Sequence, residues 1–338
     1  MEKTSMRDIA KALGVSAVTV SNALAGKAGM SEALREKILK TADEMGYVNP
    51  RSSVIKVARD IGILIPERFF MTESYYGMFC RLLVRKLREE GHAGLVEVLG
   101  AEDERKLELP DLIRNRHVDG LIMLGETDKK YCRMMAHSDT PVLYLDFYDD
   151  SGSADAVVVD NTYGCYRLTS HLIHNGHTRI GFVGDPHTTA SIMDRYLGFY
   201  RAMLSHRLEI RPEWILSDRD ENGADIQIRL PKEMPEAFVC NCDLAAARLT
   251  RTLEKKGIRV PEDVSVTGFD DFLNDVEPTT PLSTFRPNTE GMAGIAVKRI
   301  IERCNGNIGP SEKIVVGGRP IYRQSDGIRE KTKKDKMI

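Results

Sequence analysis

The sequence predicts a chain of two parts, a small all-α head followed by a large α/β body with parallel sheets. Residues 4–45 carry apolar side chains at helical spacing, whereas from about Asp60 short apolar strands alternate with longer helical stretches. With 338 residues the chain also exceeds what one small core usually holds. A head of about 60 residues and a body of about 270 is therefore a natural division.

The first helix is predicted to begin at Ser5. Ser5 and Asp8 have the spacing of a capping box, and Ile9, Ala10 and Leu13 then supply an apolar face. We expect Gly14 to end this helix, because glycine adopts a positive φ without a side-chain clash. The chain can then reverse direction within a few residues, and Ser16 can cap a second helix.

The second helix divides into two faces at about 100° per residue. Val20, Ala23 and Leu24 form the packing face, and the outward face carries Ala17, Val18, Ser21 and Asn22. Small side chains on the outward face suit close approach to base edges, and the amides near Ser16 suit a phosphate. The pattern indicates a helix-turn-helix that reads DNA, although an ordinary helical hairpin has the same local pattern.

A third helix and the charge distribution favour the DNA-reading interpretation. Residues 31–45 repeat Leu34, Ile38, Ala42 and Met45 at helical spacing, so that three helices can enclose a small core. Residues 1–59 contain ten Lys or Arg against six Asp or Glu, whereas the remainder contains 38 against 44. A basic head on an acidic body is the asymmetry expected of a tethered nucleic-acid reader.

The body shows two series of alternating strands and helices, which indicate βαβ units and two similar lobes. The first series has strands at 61–65, 93–98, 120–124 and 141–144 and helices near 76–90, 104–115 and 129–137. The second series has strands at 156–160, 180–183, 237–240 and 264–269 and helices near 163–175, 192–206 and 242–256. Neither a nucleotide-binding glycine fingerprint nor a Gly-x-Ser-x-Gly elbow follows these strands, which disfavours an enzyme.

The cysteine pattern and the hydrophobicity of the sequence disfavour a disulfide-linked, metal-binding, membrane or secreted protein. The six cysteines are scattered, which favours reduced thiols, and Cys240 and Cys242 lack the second ligand pair of a metal site. The sequence has no run of 18 apolar residues and begins without a signal peptide. We therefore expect a cytoplasmic protein with no membrane contact, no metal and no cofactor.

The motifs resemble those of the LacI/GalR (lactose-repressor) family of transcriptional regulators. The head carries Met6-Arg7-Asp8-Ile9-Ala10, Gly14-Val15-Ser16 and Thr19-Val20-Ser21-Asn22, and the body carries Gly176-His177-Thr178-Arg179-Ile180, Arg195-Tyr196-Leu197-Gly198-Phe199 and Val266-Thr267-Gly268-Phe269-Asp270-Asp271. The resemblance implies a helix-turn-helix DNA-binding domain in residues 1–48, a hinge in 49–59, a periplasmic-binding-protein-like body in 60–328 and a basic tail in 329–338. The first lobe is expected in 60–160 and 288–308, and the second in 161–287 and 312–328.

The family resemblance also implies a function. We expect a repressor that is not an enzyme, binds a roughly palindromic operator as a homodimer, and responds to a sugar-like small molecule between its lobes. A tetramer is not expected, because the tail has no leucine heptad. Two alternatives stay open, a sugar-binding protein without DNA function and a regulator controlled by a partner protein.

The predicted DNA contacts follow from the outward face of the second helix. Asn22 is expected to hydrogen-bond adenine, while Ala17 and Val18 touch thymine methyl groups. Ser16, Thr19 and Ser21 are assigned to phosphates, and Ser31 completes the DNA-binding set. The linker is about three residues shorter than in relatives and lacks their minor-groove leucine. Val54 or Ile55 can replace that leucine, and an extended linker fits these β-branched residues equally well.

The effector is expected at the carboxyl ends of the strands, where open parallel sheets bind ligands. The candidates are Tyr75, Tyr76, Asp160, Tyr163, Ser191, Arg195, Cys242, Asp243 and Asp270. Carboxylates, a guanidinium and aromatic faces suit a hydroxyl-rich ligand such as a sugar. Arg195 and Asp270 match positions that hold effector in the family, although Asp270 can also brace a turn and Arg195 can pair with a carboxylate.

Two departures from the family pattern bear on the identity of the effector. Cys242 replaces the usual asparagine, so an amide contact is missing and the effector is expected to differ from a simple hexose. Residues 217–223 are acidic where many relatives place an aromatic residue near the ligand, and the helix that follows is expected to be short and to end before Pro231.

Overall fold

The computed structural model describes residues 4–24, 30–45, 47, 58–70, 74–220, 223–273, 278–307 and 309–329. The chain divides into two compact units, Met1–Ala58 and Arg59–Ile338. Within the described ranges, none of the helices is both long enough and apolar enough to cross a membrane.

The N-terminal unit contains three helices. They are α1 (Met6–Leu13), α2 (Ala17–Leu24) and α3 (Glu32–Glu44). Their apolar faces meet in one core, in which Ile9, Val20 and Ile38 are fully buried. The three helices predicted from the apolar spacing are therefore confirmed, with ends that differ by one or two residues.

The first lobe of the second unit is built on a six-stranded sheet. Its elements are β1 (Asp60–Pro66), α4 (Tyr75–Glu89), β2 (Ala93–Leu99), α5 (Ala101–Lys106), α6 (Asp111–Arg114), β3 (Gly120–Leu124), α7 (Lys129–Ala136), β4 (Val142–Leu145) and β5 (Asp155–Val159). The strand order is β11-β5-β4-β3-β1-β2, where β11 is Lys313–Val316, and every pair is parallel. Continuous apolar runs such as β1 suit this sheet, because helices cover parallel sheets on both faces.

The second lobe is built on a four-stranded parallel sheet. Its elements are α8 (Asn161–His174), β6 (Ile180–Val183), α9 (Ala190–Ser205), β7 (Ile215–Leu216), β8 (Ala237–Cys240), α10 (Asp243–Glu254) and β9 (Ser265–Thr267). The strand order is β7-β6-β8-β9. The α/β body with two parallel sheets is thus confirmed.

The end of the chain crosses between the lobes. It contributes β10 (Thr284–Pro287), α11 (Thr289–Cys304), β11 and β12 (Gly318–Ile321). Strands β10 and β12 form a separate antiparallel pair, and α11 packs against α4 and against β3, β4 and β5. The segment between Asp270 and residue 329 therefore contributes to both lobes.

One strand belongs to a different lobe from the one predicted. Residues 312–328 are expected in the second lobe, but β11 pairs with β5 in the first sheet. Residues 156–160 are grouped with the second series of strands, although within the bounds expected for the first lobe, and β5 lies in the first sheet. Both strands are mainly apolar. Local spacing cannot show which strand each will pair with, because parallel pairing joins distant segments.

Two helix predictions also need correction. The helix expected near 104–115 is divided into α5 and α6 by Leu107, which adopts a left-handed φ of 59°, and by Pro110. Among the described residues of 217–231, a bridge joins Arg219 to Asp225 and no helix is present, so the short helix predicted before Pro231 is wrong in that part of the chain.

Candidate functional site

The turn between α1 and α2 has the geometry that the sequence predicts. The amide of Ser5 donates to Asp8 Oδ2 at 2.8 Å and the amide of Asp8 donates to Ser5 Oγ, which completes the capping box. Gly14 adopts a φ of 66° and so ends α1 in the left-handed region that glycine favours. The hydroxyl of Ser16 then accepts the amide of Thr19 at 3.0 Å, which starts α2.

The outward face of α2 presents the side chains expected to read DNA. Ala17 and Val18 are exposed, Val18 to 68 %, and Ser21 and Asn22 are half-buried. Val20 and Ala23 point into the core. This orientation leaves the apolar side chains of Ala17 and Val18 and the amide of Asn22 on the face that can contact base edges.

The remaining predicted DNA-contacting residues have capping roles or lie outside the described residues. The hydroxyls of Ser16 and Thr19 hydrogen-bond each other at 2.8 Å, and Ser31 Oγ accepts the amide of Leu34 at 3.4 Å. Both positions are at helix N-termini, where a phosphate is favoured. Val54 and Ile55 lie outside the described residues.

Arg195 is the centre of the candidate site in the second unit. It lies on α9 and is 6 % exposed. Its Nε donates to Asn161 Oδ1 at 2.8 Å, its Nη1 to the carbonyl of Asn241 at 2.6 Å, and its Nη2 to Asp270 Oδ1 at 3.0 Å. Its guanidinium also lies over the ring of Phe269, 4.0 Å from the centroid. All three nitrogens of Arg195 are therefore engaged within the protein.

Asp270 follows β9 and lies at the carboxyl edge of the second sheet. Its backbone has a φ of 97°, which is strained for a residue with a side chain. The two hydrogen bonds from Arg195 hold its carboxylate in place. Burial raises the pKa of Asp270, and the positive charges of Arg195 and Arg219 act against that rise.

Asp146 is a second carboxylate at the site, and the sequence reasoning missed it. It follows β4 in the first lobe, has a φ of 67° and is 3 % exposed. Tyr76 donates its hydroxyl to Asp146 Oδ2 at 3.0 Å, while Oδ1 is buried without a hydrogen-bond partner. Burial raises the pKa of Asp146 to about 7.

Aromatic side chains from the start of α4 border the two carboxylates. Tyr75 makes edge-to-face contacts with Tyr76, at 5.4 Å between centroids, and with Phe272 of the second lobe, at 5.9 Å. Tyr75 is half-buried, and burial raises the pKa of both tyrosines well above 10, so both hydroxyls stay protonated. They can act as hydrogen-bond donors and as apolar walls for a ring.

Cys242 and Ser191 complete this region. Cys242 caps α10, with Sγ accepting the amide of Ala245 at 3.4 Å, and burial raises its pKa to about 12, so the thiol is neutral. Ser191 donates its hydroxyl to the carbonyl of Asp146 at 3.1 Å and so positions the neighbouring carboxylate. We define the inner site as Tyr75, Tyr76, Asp146, Arg195, Cys242 and Asp270.

Three predicted effector residues have other roles in the structure. Asp243 is buried, accepts Thr284 Oγ1 at 2.6 Å and the amide of Phe272 at 2.8 Å, and so braces the loop after β9. Asp160 accepts the amide of Tyr163 at 3.0 Å and caps α8. Tyr163 is 46 % exposed and stacks beside Tyr166 on the surface of α8, apart from the inner site.

A cavity of about 730 Å³, which we call the outer cavity, lies beside the inner site. Residues of both lobes line it, including Phe69, Glu126, Lys129 and Lys130 from the first lobe and Thr189 and Arg219 from the second. Phe69 packs against Tyr76 of the inner site at 4.9 Å between ring centroids. Across the described residues, no group of three His, Cys, Asp or Glu side chains is arranged to hold a metal ion.

Comparison with known proteins identifies both units. The family model of bacterial regulatory proteins of the lacI family matches residues 5–49, and that of the periplasmic binding protein-like domain matches residues 169–325. The chain belongs to the LacI family. It is thus a DNA-binding transcriptional regulator with a two-lobed body, as the motifs predict.

Relatives of this LacI-family chain match over most of its length. The HTH-type transcriptional repressor PurR of Vibrio parahaemolyticus is 28 % identical over 312 residues, which cover 88 % of this chain and 91 % of that protein. Two solved structures have the same fold over 96 % of this chain and all of theirs. They are the complex of the regulator CelR with cellobiose, with a TM-score of 0.68 at 21 % identity, and the lac repressor dimer bound to operator and the anti-inducer ONPF, with a TM-score of 0.65 at 18 % identity.

A sequence signal for Asp146 exists in this LacI-family chain. Asp146 is the first polar residue after the apolar run 141–145, as Asp270 is after 264–269. The predicted strand 141–144 ends one residue before β4 does, so Asp146 is not adjacent to it. Ligand-binding residues of parallel sheets lie at the carboxyl ends of the strands, and Asp146 follows β4 there.

Proposed function

We propose that this regulator represses transcription by binding an operator through α2, and that a hydroxyl-rich small molecule at the inner site controls the binding. We further propose that it acts as a homodimer, since two heads read a roughly palindromic site. The related lac repressor was solved as a dimer on operator, and the related PurR proteins are named repressors.

The proposed ligand class rests on one observation, the buried Oδ1 of Asp146 that has no hydrogen-bond partner. An unpaired buried acceptor costs about 1–3 kcal/mol, which a ligand hydroxyl or amine recovers on binding. Arg195 supports an uncharged group at the inner site, because its nitrogens already bond Asn161, Asn241 and Asp270. A sugar or sugar derivative supplies such donors together with an apolar ring face for Tyr75 and Tyr76.

The test begins with operator selection. The full chain is used to select duplexes from a random-sequence pool, and sequencing of the bound fraction is expected to give a roughly palindromic motif. Affinity for this motif is then measured by fluorescence anisotropy with and without each member of a panel of sugars, sugar derivatives, amino acids and nucleobases.

The expected result is a change in operator affinity with a hydroxyl-rich compound, and loss of that change in Asp146→Ala. Tyr163→Phe is the matched control, because Tyr163 lies on the surface of α8. If only compounds without hydroxyl groups change the affinity, the ligand class is wrong. If no duplex is enriched, the proposed operator binding is wrong.

A further inference from the structure

The cations of the inner site are already used within the protein. Each nitrogen of Arg195 donates a hydrogen bond to another residue, and Asp270 balances its charge. An anionic group placed there would meet two carboxylates, Asp146 and Asp270, while the charge of Arg195 is already balanced by Asp270. Any anionic part of an effector must therefore bind elsewhere.

The outer cavity offers a place for it. Phe69 separates it from Tyr76, and Arg219 lies on its wall. Arg219 lines the outer cavity, and its positive charge lowers the pKa of Asp270 and of Cys242 against the effect of burial. Nε and Nη2 of Arg219 donate to Asp218 at 3.2 and 2.8 Å, which fixes the side chain there.

Each acidic side chain that lines the outer cavity accepts a hydrogen bond from another residue of the protein. Glu104 is buried and accepts Arg68 Nη1 at 2.5 Å and Nη2 at 3.2 Å. Glu126 accepts the amide of Ala190 at 2.8 Å, and Asp128 accepts the amide of Lys130 at 2.7 Å. These carboxylates already have donors.

Three of the cations that line the outer cavity are held more weakly than Arg68 and Arg219, which pair with buried carboxylates. Arg105 pairs with Glu102 and Lys129 with Asp150, and in both pairs each side chain is more than 60 % exposed. Such surface pairs contribute about 0–1 kcal/mol, so a ligand can replace them at little cost. Lys130 is exposed and has no ion pair among the residues that the structure describes.

We propose that the effector carries an anionic group, a phosphate or a carboxylate, that lies in the outer cavity near Lys129, Lys130 and Arg219 while its hydroxyl-rich part occupies the inner site. This inference rests on the proposed function, because it extends the same ligand. Its chemical class is a sugar phosphate or a sugar acid of at least monosaccharide size. The volume of about 730 Å³ lies within the range usual for small-molecule sites.

The experiment is a calorimetric titration of the full chain with matched neutral and anionic sugars. The probes are glucose, ribose and cellobiose, each beside its phosphate ester, together with glucuronate, galacturonate and inorganic phosphate. We expect one anionic sugar to bind at least tenfold more tightly than its neutral counterpart. We also expect this preference to fall as sodium chloride is raised, because salt screens exposed charges.

Lysine variants locate the anionic group. Lys129→Ala and Lys130→Ala are each expected to reduce the preference for the anion by about 2- to 5-fold, the range for an exposed charge pair. Lys298→Ala is the matched control, because Lys298 is an exposed lysine of α11 that does not line the outer cavity, and it should leave the preference unchanged.

Each other outcome contradicts a defined part of the argument. If a neutral sugar binds as tightly as its phosphate ester or acid, the anionic extension is wrong and the proposed function stands. If inorganic phosphate alone binds as tightly as a sugar phosphate, the cavity holds an adventitious ion only. If neither the neutral nor the anionic sugars bind, both the inference and the proposed ligand class are wrong.

Discussion

Asp146→Asn is expected to change how the stability of the protein depends on pH. The carboxyl group of Asp146 is 3 % exposed, and burial raises its pKa from 3.8 to about 7. A carboxyl group whose pKa is raised on folding stabilises the folded state when it is protonated. Its contribution is present in full below pH 3.8 and is lost as the pH rises through 7, because the unfolded chain releases the proton first.

The size of the effect follows from the pKa difference. Between the two pKa values the free energy of unfolding falls by about 1.36 kcal/mol for each pH unit. From pH 5 to pH 8 the loss attributable to Asp146 is therefore about 2–3 kcal/mol. Asparagine cannot titrate, so Asp146→Asn removes this part of the pH dependence and keeps the shape of the side chain.

Urea unfolding of both proteins at pH 5, 6, 7 and 8 measures the effect. The variant should gain about 2–3 kcal/mol relative to the native chain between pH 5 and pH 8. Asp139→Asn is the matched control, because Asp139 is exposed, and it should not reproduce the gain of Asp146→Asn. A constant difference for Asp146→Asn across this range would show that burial does not raise the pKa of Asp146.

Three further substitutions test other parts of the structure. Asn22→Ala should remove about 1–3 kcal/mol of binding preference at one base pair, measured by competition between single-base operator variants. An equal loss of affinity for every operator variant would contradict direct base recognition by Asn22. Asp270→Asn should lower the free energy of unfolding in urea at pH 7 by about 2–4 kcal/mol, because it leaves the buried Arg195 without its carboxylate. A loss below about 0.5 kcal/mol would show that the pair is not needed for stability. Gly198→Ala should destabilise the protein by about 1–3 kcal/mol in thermal unfolding, because a Cβ would meet the carbonyl of Thr162 on α8. The control Gly294→Ala should be neutral or stabilising, because Gly294 has open space around it.

Most elements could be predicted from the sequence because their signals are local. The capping box of Ser5 and Asp8, the left-handed Gly14 and the apolar run of β1 each depend on a few neighbouring residues. Sheet membership could not be predicted in the same way. Strands β5 and β11 are separated by more than 150 residues, and only their pairing places both in the first sheet.

The sequence does not distinguish candidate effector residues that bind a ligand from those that brace the fold. Asp160, Asp243 and Asp270 all follow apolar strands, so sequence position treats them alike. The structure distinguishes them by their donors, because Asp160 caps α8, Asp243 accepts Thr284 and the amide of Phe272, and Asp270 accepts Arg195. These donors come from distant parts of the chain, which local spacing does not reveal.

The two carboxylates of the inner site come from different lobes, and this has a consequence for regulation. Asp146 follows β4 of the first sheet, and Asp270 follows β9 of the second. Both have a left-handed backbone, a strain that persists only where the surrounding structure holds it. A ligand that donates hydrogen bonds to both carboxylates favours one separation of the lobes over others. Since a ligand shifts a conformational equilibrium only by its difference in affinity for the two states, a compound that contacts Asp270 alone should bind without regulating.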